Sequence, residues 1–164
     1  MSELIKMRVV RDLIDELAYI DPTSLELIGH KVIETLENKT LVHHGINKDY
    51  KPVGYTVDTF SQDFTVVGEY STVSGYFDDS SGKKKENRFD KIENDIAHAI
   101  GQASATPPIK IYLVTIEEEP ASFRGNFNKS KIAEDDRKRV HFLDARELAK
   151  AIFKCSQENS QIAD

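Results

Sequence analysis

The sequence has a single cysteine, Cys155, among 164 residues. One thiol can neither close an internal disulfide nor build a cysteine-rich zinc site, which suits a reducing compartment. Long apolar runs are also missing. The longest stretch free of charge and strong breakers, Ile111 to Ile116, falls far below the roughly 18 residues a spanning helix needs. The first residues, Ser2-Glu3-Leu4-Ile5-Lys6, lack the apolar centre of a secretory signal, so a cytoplasmic setting with no membrane partner is expected. Glycine and proline are modest at 8 and 5, which excludes collagen and wholesale disorder. There is no internal repeat, Walker A motif or Gly-x-Gly-x-x-Gly, so these residues encode neither an NTPase nor a dinucleotide site. A serine hydrolase assembled from Ser71 and His98 would lack its Gly-x-Ser-x-Gly elbow.

What remains is the composition of an ordinary globular domain, 39% hydrophobic and 30% charged, at a length that fits one core. One domain is expected over residues 1–154, with an N-terminal helix in 1–20, the core in 23–154 and a polar tail at 155–164. Net charge is −6, which repels nucleic acid in bulk. The distribution is uneven: residues 1–82 carry 7 Lys/Arg against 14 Asp/Glu, and residues 121–154 carry 9 against 5. Arg124, Lys129, Lys131 and the run Arg137-Lys138-Arg139 could touch phosphates, although a solvated loop and helix face is the commoner explanation.

Periodicity places the elements. Ile5, Val9, Leu13 and Leu17 recur every four residues, the stripe of an amphipathic helix, which Asp21-Pro22 ends. Thr23 to Glu26 reads as a capping box opening a second helix with Leu25, Ile28, Val32 and Leu36 inside, fading at Asn38-Lys39. Two β-rich runs, Val53 to Phe60 and Thr65 to Ser71, flank a polar turn at Ser61-Gln62-Asp63 and predict an antiparallel hairpin. Thr72 to Lys85 has loop chemistry and predicts a mobile excursion. Phe89, Ile92, Ile96, Ile100 and Ala103 predict a third helix, and Ile109 to Ile116 a strand buried on both faces. A short helix over Ser130 to Arg137, a strand at Val140 to Leu143 and a last helix capped by Asp144 and ending near Lys154 complete the order. A hairpin followed by alternating strands and helices predicts an α/β fold, a mixed β-sheet with helices on both faces.

The hairpin register decides whether two carboxylates meet. A four-residue loop over 62–65 sets Asp58 directly opposite Glu69, with Cβ atoms about 4.5–5.5 Å apart on one face. A slip of one residue separates them to opposite faces. Adjacent carboxylates repel unless a proton or cation lies between them, and hard oxygen ligands favour Mg²⁺ or Mn²⁺. Solvent-side acids of an amphipathic hairpin are the alternative. The adjacent His43-His44 pair, in a predicted loop, makes a poor zinc site without further ligands.

Gly54-Tyr55-Thr56-Val57-Asp58, Gly68-Glu69-Tyr70-Ser71, Tyr76-Phe77 and Lys91-Ile92-Glu93-Asn94-Asp95-Ile96, in that order and followed by a buried strand, resemble the PD-(D/E)xK restriction-endonuclease-like superfamily. More narrowly they resemble nuclease modules of bacterial defence proteins. The likeness covers roughly residues 20–150, and the order of its short motifs carries most of its weight. It implies a restriction-endonuclease-like fold and a Mg²⁺- or Mn²⁺-dependent endonuclease acting on DNA in antiviral defence. A homodimer, or a fused or partner signalling NTPase, is the implied assembly. The implied metal ligands are Asp58, Glu69, the Tyr70 carbonyl and Glu26, the last also explained by the capping box. The family's lysine, two residues after the glutamate, is replaced by Ser71, and a hydroxyl supplies no positive charge. Lys91, at the start of the following helix, is the replacement expected for catalysis beside Asp58 and Glu69, with Lys85 and Arg88 in reserve. Alternatively Lys91 pairs with Asp95 one turn on. The competing function is a nuclease-like module without catalysis that binds nucleic acid or a partner.

Overall fold

Leu13 and Leu17 of the four-residue stripe turn inward on α1 (Glu3–Leu17), whose first turn is capped by the Ser2 hydroxyl accepting from the Ile5 N–H at 3.3 Å. The computed structural model describes residues 2–43, 59–78, 89–102 and 107–163. Helix α2 (Pro22–Glu37) begins before the expected capping box: Asp21 is its cap, accepting from the Ser24 N–H at 3.0 Å and the Ser24 hydroxyl at 2.6 Å. Proline suits the first helical position, where its missing N–H has no partner to lose. Pro22 therefore starts α2, whereas α1 has already ended at Leu17, with Ala18 as its C-cap, rather than at Asp21-Pro22. The helix ends at Asn38, whose φ of 50° lies in the left-handed region.

Among the described residues, five strands form one mixed sheet in the order β1 (Leu41–His43), β2 (Thr59–Ser61), β3 (Val66–Ser71), β4 (Lys110–Thr115) and β5 (Val140–Leu143). The first two junctions are antiparallel and the last two parallel. Strand β1 was not expected, and it takes His43 out of its predicted loop; His44 lies outside the described residues. Thr59↔Gly68 and Phe60↔Val67 are the pairs that the four-residue loop requires, so the described part of the hairpin has the predicted register. Helix α3 (Asp90–Gln102) links β3 to β4, while α4 (Phe123–Asn128) and α5 (Glu134–Arg139) precede β5. Helix α6 (Ala145–Ala163) continues through the segment expected to be a polar tail, because no glycine or proline interrupts it. Part of the predicted mobile loop is fastened: Glu117 accepts from the Gly75 and Tyr76 N–H groups at 2.7 and 3.2 Å, and Tyr76 and Phe77 are buried.

Two apolar cores lie on opposite faces of the sheet. Val67, Ile111 and Leu113 meet Ile92, Ile96, Phe123 and Phe127 on one side. Val66, Tyr112 and Val114 meet Leu17, Leu25, Ile33 and Leu148 on the other. The expected α/β architecture with helices on both faces is thus present. Helix α2 approaches β3 closely at two glycines: a Cβ on Gly29 would come within 2.9 Å of Tyr70 Cδ1, and one on Gly68 within 3.0 Å of Ile33 Cδ1. Among the described residues, no helix is long and apolar enough to cross a membrane.

Candidate functional site

Alternation along β3 sends neighbouring side chains to opposite faces. Tyr70 packs toward α2 and shares a 2.7 Å hydrogen bond with the Thr59 hydroxyl. Glu69 points the other way, toward α3, where its Oε1 lies 2.6 Å from His98 Nδ1. Only 6% of Glu69 is exposed. A carboxylate this deep needs a compensating donor, and the imidazole supplies one.

The spacing of α3 gathers the remaining groups. Lys91, Asp95 and His98 follow one another at intervals of four and three, so they share a helix face beside the apolar stripe of Ile92, Ile96 and Ala99. Lys91 Nζ lies 2.8 Å from Asp95 Oδ1, and the Tyr76 hydroxyl donates to Asp95 Oδ2 at 3.0 Å. Asp95 is 7% exposed. Burial first, then the negative charge of Asp95, the hydrogen bond to it and the charge of Glu69 push the Tyr76 phenol well above its ordinary value. Tyr76 is therefore held as a donor, with both carboxylates in its field.

The start of this helix is anchored by Phe89. Its φ of 62° is left-handed, a conformation costing roughly 1–2 kcal/mol for a residue with a side chain. The ring offsets that cost by burial against Phe123 at 5.3 Å, and the Phe89 carbonyl accepts from the Glu93 N–H at 2.8 Å. Lys91 and the residues after it are positioned from this corner.

No protein-family model, curated protein or solved structure matches this chain. The site therefore stands on its own geometry. Of the residues singled out from the sequence, Glu69 and Lys91 are associated with the α3 side of the sheet. The side chain of Tyr70 faces away, as its backbone role requires. Glu26 stands on α2, in the opposite helix layer; with Asp21 as cap it sits in the second turn, so the capping role expected for it does not hold. Asp58, Lys85 and Arg88 lie outside the described residues. Ser71, in the place of the family's lysine, is buried and accepts from the Val73 N–H at 3.2 Å, a local turn bond. The expected Lys91–Asp95 pair is present, with a buried rather than solvated carboxylate.

Asp95 was expected only as the partner of Lys91, and His98 and Tyr76 were missed as partners of this site. The signal for the first two was in the sequence, since Lys91-x₃-Asp95-x₂-His98 is a polar stripe on a helix that must cover the sheet. Tyr76 had no such signal. Five of the six basic residues considered for phosphate contact make side-chain contacts within the chain: Arg124 bonds Glu119 at 2.6 Å and lies over Phe142, Lys131 meets Glu93, Lys138 meets Glu134, and Arg137 and Arg139 donate to backbone carbonyls.

Chemically, Glu69 and Asp95 are hard oxygen donors of the kind Mg²⁺ and Mn²⁺ prefer. Among the described residues no group of three or more His, Cys, Asp or Glu is placed to hold a metal. The donor types fit a divalent ion, while the described donors alone fall short of a full set. The His98–Glu69 pair has a second capability, because a carboxylate that fixes one imidazole nitrogen orients the other toward a proton or ligand.

Proposed function

We propose that this chain is a metal-dependent endonuclease hydrolysing DNA phosphodiester bonds, with its site where α3 covers β3. The observation that carries the reading is the buried Glu69 carboxylate, 2.6 Å from His98, on a helix that also bears Lys91 and Asp95. Glu69 and the Tyr70 carbonyl, together with Asp58 as the resemblance implies, would hold Mg²⁺ or Mn²⁺. The bound ion would lower the pKa of a water and neutralise charge on the phosphorane. Lys91 supplies the positive charge that Ser71 cannot, and His98 positions Glu69. The hairpin register supports this arrangement, since the described pairs run in the frame that sets position 58 across from 69. The defence setting, and assembly as a homodimer or with a signalling NTPase, follow from the resemblance and belong to the same proposal.

A second reading is favoured by two contacts already closed in the structure, the Glu69–His98 hydrogen bond and the Lys91–Asp95 ion pair. A nuclease-like module that binds nucleic acid or a partner without cutting would keep such pairs for stability. Plasmid nicking in Mg²⁺ and Mn²⁺ separates the two. The parent should nick, and Glu69→Gln should lose at least about 100-fold in rate with its circular dichroism unchanged. Equal cutting by parent and variant rejects the site. An inactive parent whose melting midpoint ignores Mn²⁺ establishes the second reading, because an ion bound only by the folded state must raise that midpoint.

A further inference from the structure

Helices α1 and α6 pack side by side and leave a groove of about 650 Å³ between them, on the molecule's periphery and apart from the α3 site. Its floor is apolar, made by Leu4, Met7, Val10 and Ile14 of α1 and Phe153 of α6. Leu4 and Met7 are 66% and 68% exposed, whereas Ile14, farther along the same stripe, is buried. Leu4, Met7, Arg11 and Ile14 step by three, four and three residues, and Arg146, Lys150 and Phe153 step by four and three. Both walls thus present the spacing that receives a third helix.

The rim is cationic. Lys6, Arg8, Arg11, Arg146 and Lys150 line it against one lining carboxylate, Glu3, in a chain whose net charge is −6. Arg11 and Arg146 share Glu118 at 2.6 and 2.8 Å, Lys6 meets Glu3 at 3.3 Å, and Lys150 meets Glu147 at 3.6 Å. These are exposed pairs, each worth little, and they can exchange partners at small cost. A second copy of the same patch would bring two cationic rims together, which a symmetric contact cannot avoid.

We propose that this groove docks an acidic amphipathic helix of a partner protein, its apolar stripe on Leu4 and Met7 and its carboxylates on the basic rim. The probe is a fluorescently labelled peptide with leucines at helical spacing flanked by glutamates, titrated with the full chain and followed by anisotropy. It should bind, and bind more weakly as salt rises, while a version with lysines in place of the glutamates should not. Met7→Glu should weaken binding about tenfold or more, and Arg8→Glu in the same direction, whereas Leu27→Glu on α2 should bind as the parent does. Both groove positions are exposed, and if Met7→Glu fails to fold, Arg8→Glu carries the test. Equal binding of the lysine peptide, or an unchanged affinity in the folded groove variants, overturns the proposal. So does a dimer by light scattering that Met7→Glu dissociates, which assigns the face to a second copy. Capture by phosphatidylserine vesicles with no binding of the glutamate peptide assigns it to lipid and overturns the proposal as well.

Discussion

Asp63 holds the turn between β2 and β3 through one oxygen, which accepts from the Ser61 hydroxyl at 2.6 Å, the Thr65 hydroxyl at 2.7 Å and the Thr65 N–H at 3.1 Å. These donors, the Ser61 hydroxyl foremost, hold its carboxyl far below the usual range. A depressed folded value means that the stabilisation is complete above the unfolded value of about 4 and is lost as pH falls toward the folded one. Asp63→Asn should therefore lower the thermal midpoint at neutral pH, and the gap from the parent should narrow in scans taken below about pH 4. A gap independent of pH would detach the turn from this charge. The turn itself was legible, because Ser61-Gln62-Asp63 is local chemistry and loop length sets hairpin register. The partner of Glu69 was not, since His98 stands 29 residues away and meets it only after α3 folds over the sheet.

At the scale of elements, Asp144 joins two of them. Its Oδ1 accepts from the Glu147 N–H of α6 and its Oδ2 from the Glu119 N–H of the segment after β4, each at 2.8 Å. The cap was readable from Asp144-Ala145-Arg146-Glu147, but the tie to Glu119 was not. Asp144→Ala should cost about 1–3 kcal/mol in urea unfolding, the loss of a cap together with a stranded N–H, and Asp144→Asn should cost less. Equal losses for the two variants would mean that the side-chain hydrogen bonds are not the source. Strand β5 and most of α1, α3 and β4 were also legible from periodicity. The three-residue β1 and six-residue α4 were not, because segments that short are held by the burial they find rather than by their own propensity.

Across the whole molecule, the face that carries the site rests on an aromatic cluster. Phe123 is 4.8 Å from Phe77, 5.3 Å from Phe89 and from Phe127, and 5.1 Å from Phe142, centroid to centroid. It is fully buried in α4, the helix that periodicity did not reveal. Phe123→Ala should destabilise by about 3–5 kcal/mol in urea or thermal unfolding. A loss under about 1 kcal/mol would show that the neighbouring rings collapse into the space.

The sequence by itself determined the helices with a clear apolar stripe, the buried strands and the frame of the hairpin, because each depends on spacing within a few residues. Only the tertiary structure decided that Glu69 meets His98, that Tyr76 donates to Asp95, that Glu26 lies in the other helix layer, and that Leu4 and Met7 face an open groove. Those outcomes depend on which helix covers which side of the sheet and in what direction. That choice is settled by packing two cores at once, and no local periodicity records it.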